Sequence, residues 1–411
     1  MKKTYFQPML AAVVCGLLMN LNSVQAADNS TSAEKSKHYD VAAYVWPSYY
    51  PDDRAKIFWP MGIGEWETVI NNKPKFEGHE QPRFPLWGYV NEANRDVMEM
   101  EIAAAADHGV NVFIYDWYWY DRMPFLEGCL NDGYLKARNN DRVKFYLMWA
   151  NHDVFLKWDK RNADDAFTKK NTALIWKGSV ERLEFEKIAH RWIEKYFSQP
   201  SYYRIDDKPV FMIYDLNSFI NGLGGIEQAK DAIVWFRAEV KKAGFKGLEL
   251  QVALRRDSNR KLTGMADEDI GTQKEVVEKL GFDSLAHYSM GHLIPNVEGD
   301  YAELMYKVAQ GWTTISTNYT AHYYPHVSAG WDTSPRANTF RGAITTNNTP
   351  VNFEKALRLA KGFVDNHPNQ APLIIINSWN EWTETSYLEP DTKYGYGYLD
   401  AVKKVFGADV K

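Results

Sequence analysis

The sequence predicts an α/β fold closed as a (β/α)8 TIM barrel, one domain with long βα loops, on three observations. Eight short runs rich in Val, Ile, Phe and Tyr alternate with longer amphipathic stretches. Polar and aromatic residues crowd the C-terminal end of nearly every run, the face at which such barrels carry their sites. Two connections on that face are long, residues 57–89 and 327–350, and loops of this length on a barrel mouth usually shape a cleft.

The strand runs are 41–45, 110–115, 143–149, 209–214, 248–254, 284–288, 314–324 and 373–378. Helical patterning fills 91–108, 185–197, 225–243, 272–280, 301–311 and 352–366. The first run leads through Tyr44 into Trp46, the second into Asp116-Trp117-Tyr118, and the third into Trp149-Ala150-Asn151-His152. The fourth ends at Tyr214-Asp215, the fifth at Arg255-Arg256, the sixth at His287-Tyr288, and the seventh at Tyr323-Tyr324-Pro325-His326. Gly222-Leu223-Gly224-Gly225 lacks the strand, lysine and spacing of a phosphate loop and reads as a turn.

The 411 residues carry a formal charge of -5 and no basic run, which argues against nucleic acid or an anionic membrane surface as partner. Aromatic residues make up 15%, with 15 Trp and 25 Tyr, a surplus suited to stacking on the apolar faces of sugar rings. Lys2 and Lys3 precede an apolar stretch over 9–19 and a small-residue cleavage site at Val24-Gln25-Ala26. Residues 1–26 therefore read as a signal peptide, 27–37 as a disordered leader and 38–411 as the barrel. Export to the periplasm or surface of a Gram-negative-type bacterium follows. Lipidation at Cys15 is the lesser reading, because Val14 stands where a small residue is wanted. Cys129 is then the one remaining cysteine and has no internal disulfide partner. No other apolar run approaches the length of a membrane span, and a monomer is expected.

The eighth run passes directly into Trp379-Asn380-Glu381-Trp382-Thr383-Glu384. In an extended strand, side chains at i and i+3 point to opposite faces, whereas one turn of helix or loop puts them on the same side. Glu381 and Glu384 can then face one cleft. Glycoside cleavage requires such a pair: one carboxyl group protonates the leaving oxygen, while the other supplies electrons or removes a proton across the ring. Crowding and burial would split their pKa values and leave one protonated near neutrality.

Together with Tyr387-Leu388-Glu389-Pro390-Asp391 and Tyr394-Gly395-Tyr396, this stretch resembles the glycoside hydrolase family 99-like group, also described as WbsX-type glycosyltransferases. Further segments share the resemblance: Ala43-Tyr44-Val45-Trp46-Pro47, Phe113-Ile114-Tyr115-Asp116-Trp117-Tyr118-Trp119, and Tyr323-Tyr324-Pro325-His326 with Trp331, Asp332 and Arg336. The resemblance implies a retaining α-mannoside hydrolase, in which Glu381 takes the proton of the substrate's own 2-hydroxyl and Glu384 acts as acid, then base. An ordinary double displacement on Glu381 stays open. The family's endo-mannosidases usually carry His and Gly around the second glutamate, where this chain has Thr383 and Thr385. Any α-linked sugar with an axial 2-hydroxyl, including a rhamnoside, remains a candidate substrate.

The expected sugar-binding residues are Tyr44, Trp46, Asp116, Trp117, Tyr118, Trp149, Asn151, His152, His287, Tyr288, Tyr324, His326, Trp331, Asp332, Arg336, Trp379, Asn380 and Trp382. Asp215 reads as a cap or ion-pair partner. No histidine has the spacing of a metal motif, so no metal and no cofactor is expected. Two rivals are a glycosyltransferase of polysaccharide biosynthesis and a non-catalytic glycan-binding protein. Export argues against the first, and the intact glutamate pair against the second.

Overall fold

The computed structural model describes residues 38–158, 173–256, 259–264, 268–340 and 342–407. The expected signal peptide and leader, residues 1–37, lie outside the described residues.

The central sheet is parallel. Strand β1 (Asp40–Val45) lies between β2 (Val112–Tyr120) and β8 (Leu373–Asn377). From β2 the order runs through β3 (Lys144–Trp149), β4 (Lys208–Ile213), β5 (Glu249–Ala253) and β6 (Ser284–Ala286). The seventh position, β7, comes in two pieces: His322–Tyr323 pairs with β6, and His326–Ser328 pairs with β8. Between them the Tyr324 amide donates to Leu285 at 2.9 Å, while the Pro325 carbonyl accepts from Ile375 at 3.0 Å, so the ring closes through the break. Pro325 has no N–H to offer a ladder and sits where the chain changes partners.

The seventh run is where structure and expectation part. Residues 314–318 belong to the helix Tyr301–Asn318 rather than to a strand. Thr313, Thr314 and Ile315 favour strands locally, but Ile315 extends the buried stripe Leu304, Met305, Val308 and Trp312, whose spacing is helical. The exposed hydroxyls of Thr314 and Thr317 fold back onto the carbonyls of Gln310 and Thr313 at 3.2 and 2.8 Å. The second run also extends beyond the expected boundary, through Tyr120.

The helices form for local reasons. Asn94 caps Arg95–Asp107 by accepting from the Asp96 amide at 2.8 Å. Thr272 and Glu275 form a capping box on Gln273–Leu280, which ends at the left-handed Gly281. Pro350–Asp365 opens with proline at its first turn and buries Phe353, Leu357, Ala360 and Val364 along one face. Leu216–Leu223 ends at the left-handed Gly224, which accounts for the glycine-rich turn. Much of the aromatic surplus packs between strands and helices: Trp192 meets Phe211 at 4.3 Å, Trp117 at 5.2 Å and Trp149 at 5.4 Å.

Candidate active site

After β8 the chain makes a one-turn 3-10 helix, Trp382–Glu384, and this turn does what the sequence requires of it. Glu381 and Glu384 both line one cavity of about 280 Å³ at the barrel mouth. Trp46, Trp59, Glu65, Asp116, Tyr118, Met148, Ala150, His152, Trp158, Tyr214, Tyr288 and Arg336 complete its walls. Six of these are Trp or Tyr, so the lining joins apolar ring faces with a few convergent polar groups, as ligand sites do.

Arg336 organises the charges. Its Nη1 donates to Glu384 Oε1 at 2.7 Å, its Nη2 to Glu381 Oε2 at 2.8 Å and its Nε to Thr383 Oγ1 at 2.7 Å. One planar guanidinium thus fixes both carboxylates in a common geometry. Glu65 closes the network: its Oε1 accepts from Thr383 Oγ1 at 3.0 Å and lies 3.5 Å from Arg336 Nε, and its Oε2 takes the Trp46 indole N–H and, at 3.3 Å, the Ser48 hydroxyl.

The Tyr288 hydroxyl lies 2.7 Å from Glu381 Oε1 and 3.2 Å from Asp116 Oδ2. It has one hydrogen, which goes to the shorter contact with Glu381. Asp116 then bonds to it by donating, and burial pushes the Asp116 carboxyl well above its usual range, toward the protonated form that can do so. Both oxygens of Glu381 are thus engaged, whereas Glu384 Oε2 is buried without a hydrogen-bond partner among the described residues. Burial raises both glutamates, their proximity adds to the rise at Glu381, and Arg336 pulls both down. The two titrate as a pair. Asp116 Oδ1, on the same cavity wall, is likewise buried without a partner among the described residues.

Strand parity decides where the other expected residues lie. Asp116 and Tyr118 face the barrel interior, so their neighbour Trp117 faces out, with its indole on Glu127 at 2.8 Å and its ring stacked on Trp119 at 5.7 Å. Met148 and Ala150 likewise face in, and Trp149 packs outward against Trp192 and Phe185. Trp117 and Trp149 therefore do not line the cavity. Asn151 stitches β3 to β4 by exchanging two bonds with the Asp215 backbone at 2.7 and 2.8 Å, while Asp215 caps Leu216–Leu223. Tyr44 packs against Tyr288 with tilted rings 4.6 Å apart and reaches the His287 carbonyl at 3.3 Å, next to the cavity wall. His287 and His326 are fully buried, 5.7 Å apart, and kept neutral by that burial. Tyr324 shares its surroundings with Asp40 and Glu249, at the starts of their strands. Trp331 packs on the core, its carbonyl holding the Thr345 amide at 2.9 Å. His152 does line the cavity, and burial holds it below its usual pKa.

The motif itself points two ways. Glu381 and Glu384 face the cavity, while Trp379, Asn380 and Trp382 donate into a buried acidic cluster: Trp379 to Glu101 at 3.1 Å, Asn380 to Glu92 at 2.9 Å and Trp382 to Glu389 at 2.5 Å. These three residues brace the turn from outside the cavity. Glu92, Glu101 and Glu389 each place one oxygen within 4.8 Å of the others, a hard-cation ligand set by composition. Burial pushes all three upward, Glu101 to about 8, so protons can also neutralise them. Asp332 is a brace too. Its Oδ2 accepts from His79 and Gln81 at 2.9 and 3.0 Å, and its amide holds the Glu384 carbonyl at 2.7 Å.

Glu65 is the charged cavity residue that sequence reasoning missed, as it missed Trp59 and Trp158 among the aromatic walls. It follows Gly62-Ile63-Gly64 in the long first loop. A Cβ on Gly64, which has φ +65°, would stand 1.8 Å from the Ser48 carbonyl, so only glycine lets the loop close there. The Glu65 amide then bonds that same carbonyl at 3.0 Å. A Gly-x-Gly-Glu-Trp run inside a mouth loop was the available signal.

Fold and site together define a (β/α)8 barrel with a glutamate pair at its C-terminal mouth. The chain belongs to the family described as glycosyltransferase WbsX, whose profile matches residues 41–402. It is 26% identical over 392 residues to a protein of Xanthomonas campestris pv. campestris described as uncharacterized protein WxcX, covering 92% of this chain and 51% of that one. The chain thus spans about half the length of the curated relatives it matches, 51% and 49% for the two strains. Its fold is similar to the GH99 endo-alpha-mannosidase from Bacteroides thetaiotaomicron, with a TM-score of 0.54 and 13% identity, covering 89% of this chain and 95% of that one. A solved glycoside hydrolase-like protein gives 0.55 and 15%, with 91% and 96% covered.

Proposed function

We propose that this chain is a retaining glycoside hydrolase acting on α-linked, mannoside-like sugars with an axial 2-hydroxyl, within an oligosaccharide or polysaccharide. The observation that carries the reading is the single guanidinium of Arg336 holding Glu381 and Glu384 in one aromatic-walled cavity. Glu381 accepts from Tyr288 and Arg336, bonds that favour its ionised form against the burial and the Glu384 charge that raise it, and it takes the 2-hydroxyl proton as O2 attacks the anomeric carbon from behind. Glu384, the other acid lining the cavity, delivers its proton to the departing oxygen, then takes one from the water that opens the anhydro sugar while O2 recovers its proton from Glu381. In the other route Glu381 attacks carbon directly, and a 2-deoxy substrate separates them: it survives as a substrate only for direct attack. Trp46, Tyr118, Tyr214 and Trp158 supply ring faces for the sugar, and His152 a neutral hydrogen-bonding group.

The family's name favours a second reading, a glycosyltransferase. A nucleotide-sugar donor brings a diphosphate, yet the cavity has four carboxyl groups, Glu65, Asp116, Glu381 and Glu384, and the guanidinium in its wall is engaged by three of them. That charge pattern suits a neutral sugar better. Export through residues 1–26 would also separate the chain from cytoplasmic donors, and mass spectrometry of the mature protein beginning at Ala27 checks it. Among the described residues no helix is long and apolar enough to cross a membrane.

Hydrolysis of α-mannosides and complex glycans by wild type, Glu381→Gln and Glu384→Gln tests the proposal. Each change should lower kcat by at least about 10²- to 10⁴-fold, the usual range of general acid/base catalysis. Activity that persists in both variants would overturn the assignment.

A further inference from the structure

We propose that Glu65 is a positioning residue: it holds Arg336 and Thr383 against the glutamate pair and, as a third carboxylate on one guanidinium, sets the pH range in which Glu384 can serve as an acid. The inference rests on the reading of Glu381 and Glu384 as base and acid. Glu65 is itself 4% exposed and spends both oxygens inside the network. Oε1 meets Thr383 and Arg336, and Oε2 meets Trp46 and Ser48.

The charge arithmetic gives Glu65 its role. Arg336 meets three carboxylates, Glu65, Glu381 and Glu384, so one positive charge faces three acids. A guanidinium paired with the two glutamates alone would draw both strongly toward the ionised form, and an ionised Glu384 has no proton to give. Glu65 offsets that pull; its charge lifts Glu381 and Glu384 alike. The other titratable groups facing this network are Tyr49 from the same loop, Asp116 and Tyr118 from β2, His152 after β3, Tyr214 after β4 and Tyr288 after β6. Burial keeps the tyrosines and His152 neutral and lifts the Asp116 carboxyl, so Arg336 and Glu65 are the groups that set the balance.

Glu65→Gln keeps the shape and the Thr383 contact while removing the charge. In the full-length enzyme, pH profiles of kcat for an α-mannoside with a poor leaving group are compared for wild type, Glu65→Gln and Glu65→Ala. The alkaline limb, where the acid loses its proton, should fall by about one pH unit in both variants, the size a neighbouring charge usually causes. An aryl glycoside whose leaving group needs no proton should be slowed much less. A second readout needs no substrate: infrared titration of the protonated carboxyl stretch, with the Glu384 signal identified as the one absent from Glu384→Gln. Its midpoint should move down in Glu65→Gln. An unmoved Glu384 midpoint overturns the proposal whether or not the enzyme hydrolyses the test sugar. Inactivity of the wild type with a shifted midpoint counts instead against the hydrolase reading.

Discussion

Asn380 and Glu92 are paired inside the protein, with Asn380 Nδ2 at 2.9 and 3.0 Å from the two oxygens of Glu92. The Asn380 side chain also accepts the Trp46 amide at 2.8 Å and lies 2.9 Å from the Trp46 carbonyl. One amide group therefore ties the turn that carries Glu381 and Glu384 to the end of β1 and to a buried acid. Asn380→Ala leaves Glu92 and the Trp46 amide without these partners and should cost about 3 kcal/mol, the upper range for stranded buried polar groups. Urea unfolding at fixed pH measures the loss. A cost below about 1 kcal/mol, that of an ordinary net hydrogen bond, would show that the bracket does not hold the turn.

Tyr288 donates to Glu381 Oε1 and favours its ionised form, opposing the burial that raises this carboxyl. Removing the hydroxyl in Tyr288→Phe should reduce kcat by about 10- to 100-fold, since hydrogen bonds to charged groups contribute about 1.5–3 kcal/mol. Losing a donor to the carboxylate raises the pKa of Glu381. A base must be ionised to act, so the acid limb of the pH profile should move to higher pH. An acid limb that stays in place, with kcat merely lowered, would show that Tyr288 does not set the base's charge.

How much of this was legible depended on whether a residue's environment breaks symmetry along the chain. The turn carrying Glu381 and Glu384 was readable because an apolar run passes abruptly into two acids three residues apart. The phase of β2 and β3 was not. Both faces of these strands are buried, so Asp116-Trp117-Tyr118 and Met148-Trp149-Ala150 show no alternation to say which side holds the cavity. Tryptophans that look like sugar platforms therefore pack between sheet and helices. In Asn318 and the residues before it, tertiary burial overrode β-branched propensity. Glu65, His79 and Gln81 sit in an irregular loop, where no period marks an inward residue. Glu101 did leave a signal, a carboxylate on the same helical face as Met98, Ile102 and Ala105.

Arg336 bridges two buried carboxyl groups at once, so its removal acts on chemistry and stability together. Arg336→Met should slow turnover by about 10²-fold or more, because both groups then favour the protonated form and the base is lost. The sign for stability follows. Carboxyls whose folded pKa is raised further lose stability as the pH climbs from about 4.5, the unfolded value, through the folded one. Compared with wild type, the variant's Tm should fall more steeply between about pH 5 and 8. Parallel Tm profiles for the two proteins would show that the guanidinium does not carry the charge balance of the pair.

The buried acids Glu92, Glu101 and Glu389 make a separate pH prediction, since all three sit above the usual carboxylate range and Glu101 is pushed up to about 8. Desolvation is the first cause for each. A carboxyl that folding holds protonated stabilises the fold fully below its unfolded pKa, and that contribution disappears as the pH rises through the folded value. For Glu101 the window runs from about 4.5 to about 8. Over it, each proton retained by folding steepens the loss of stability by up to about 1.4 kcal/mol per pH unit. Glu101→Gln keeps an acceptor for the Trp379 indole and removes that proton, so urea midpoints from pH 5.5 to 8.5 should fall less steeply in the variant than in wild type. Identical slopes would mean that Glu101 ionises in the folded protein as it does in the unfolded one, and that the three acids are not held together by protons.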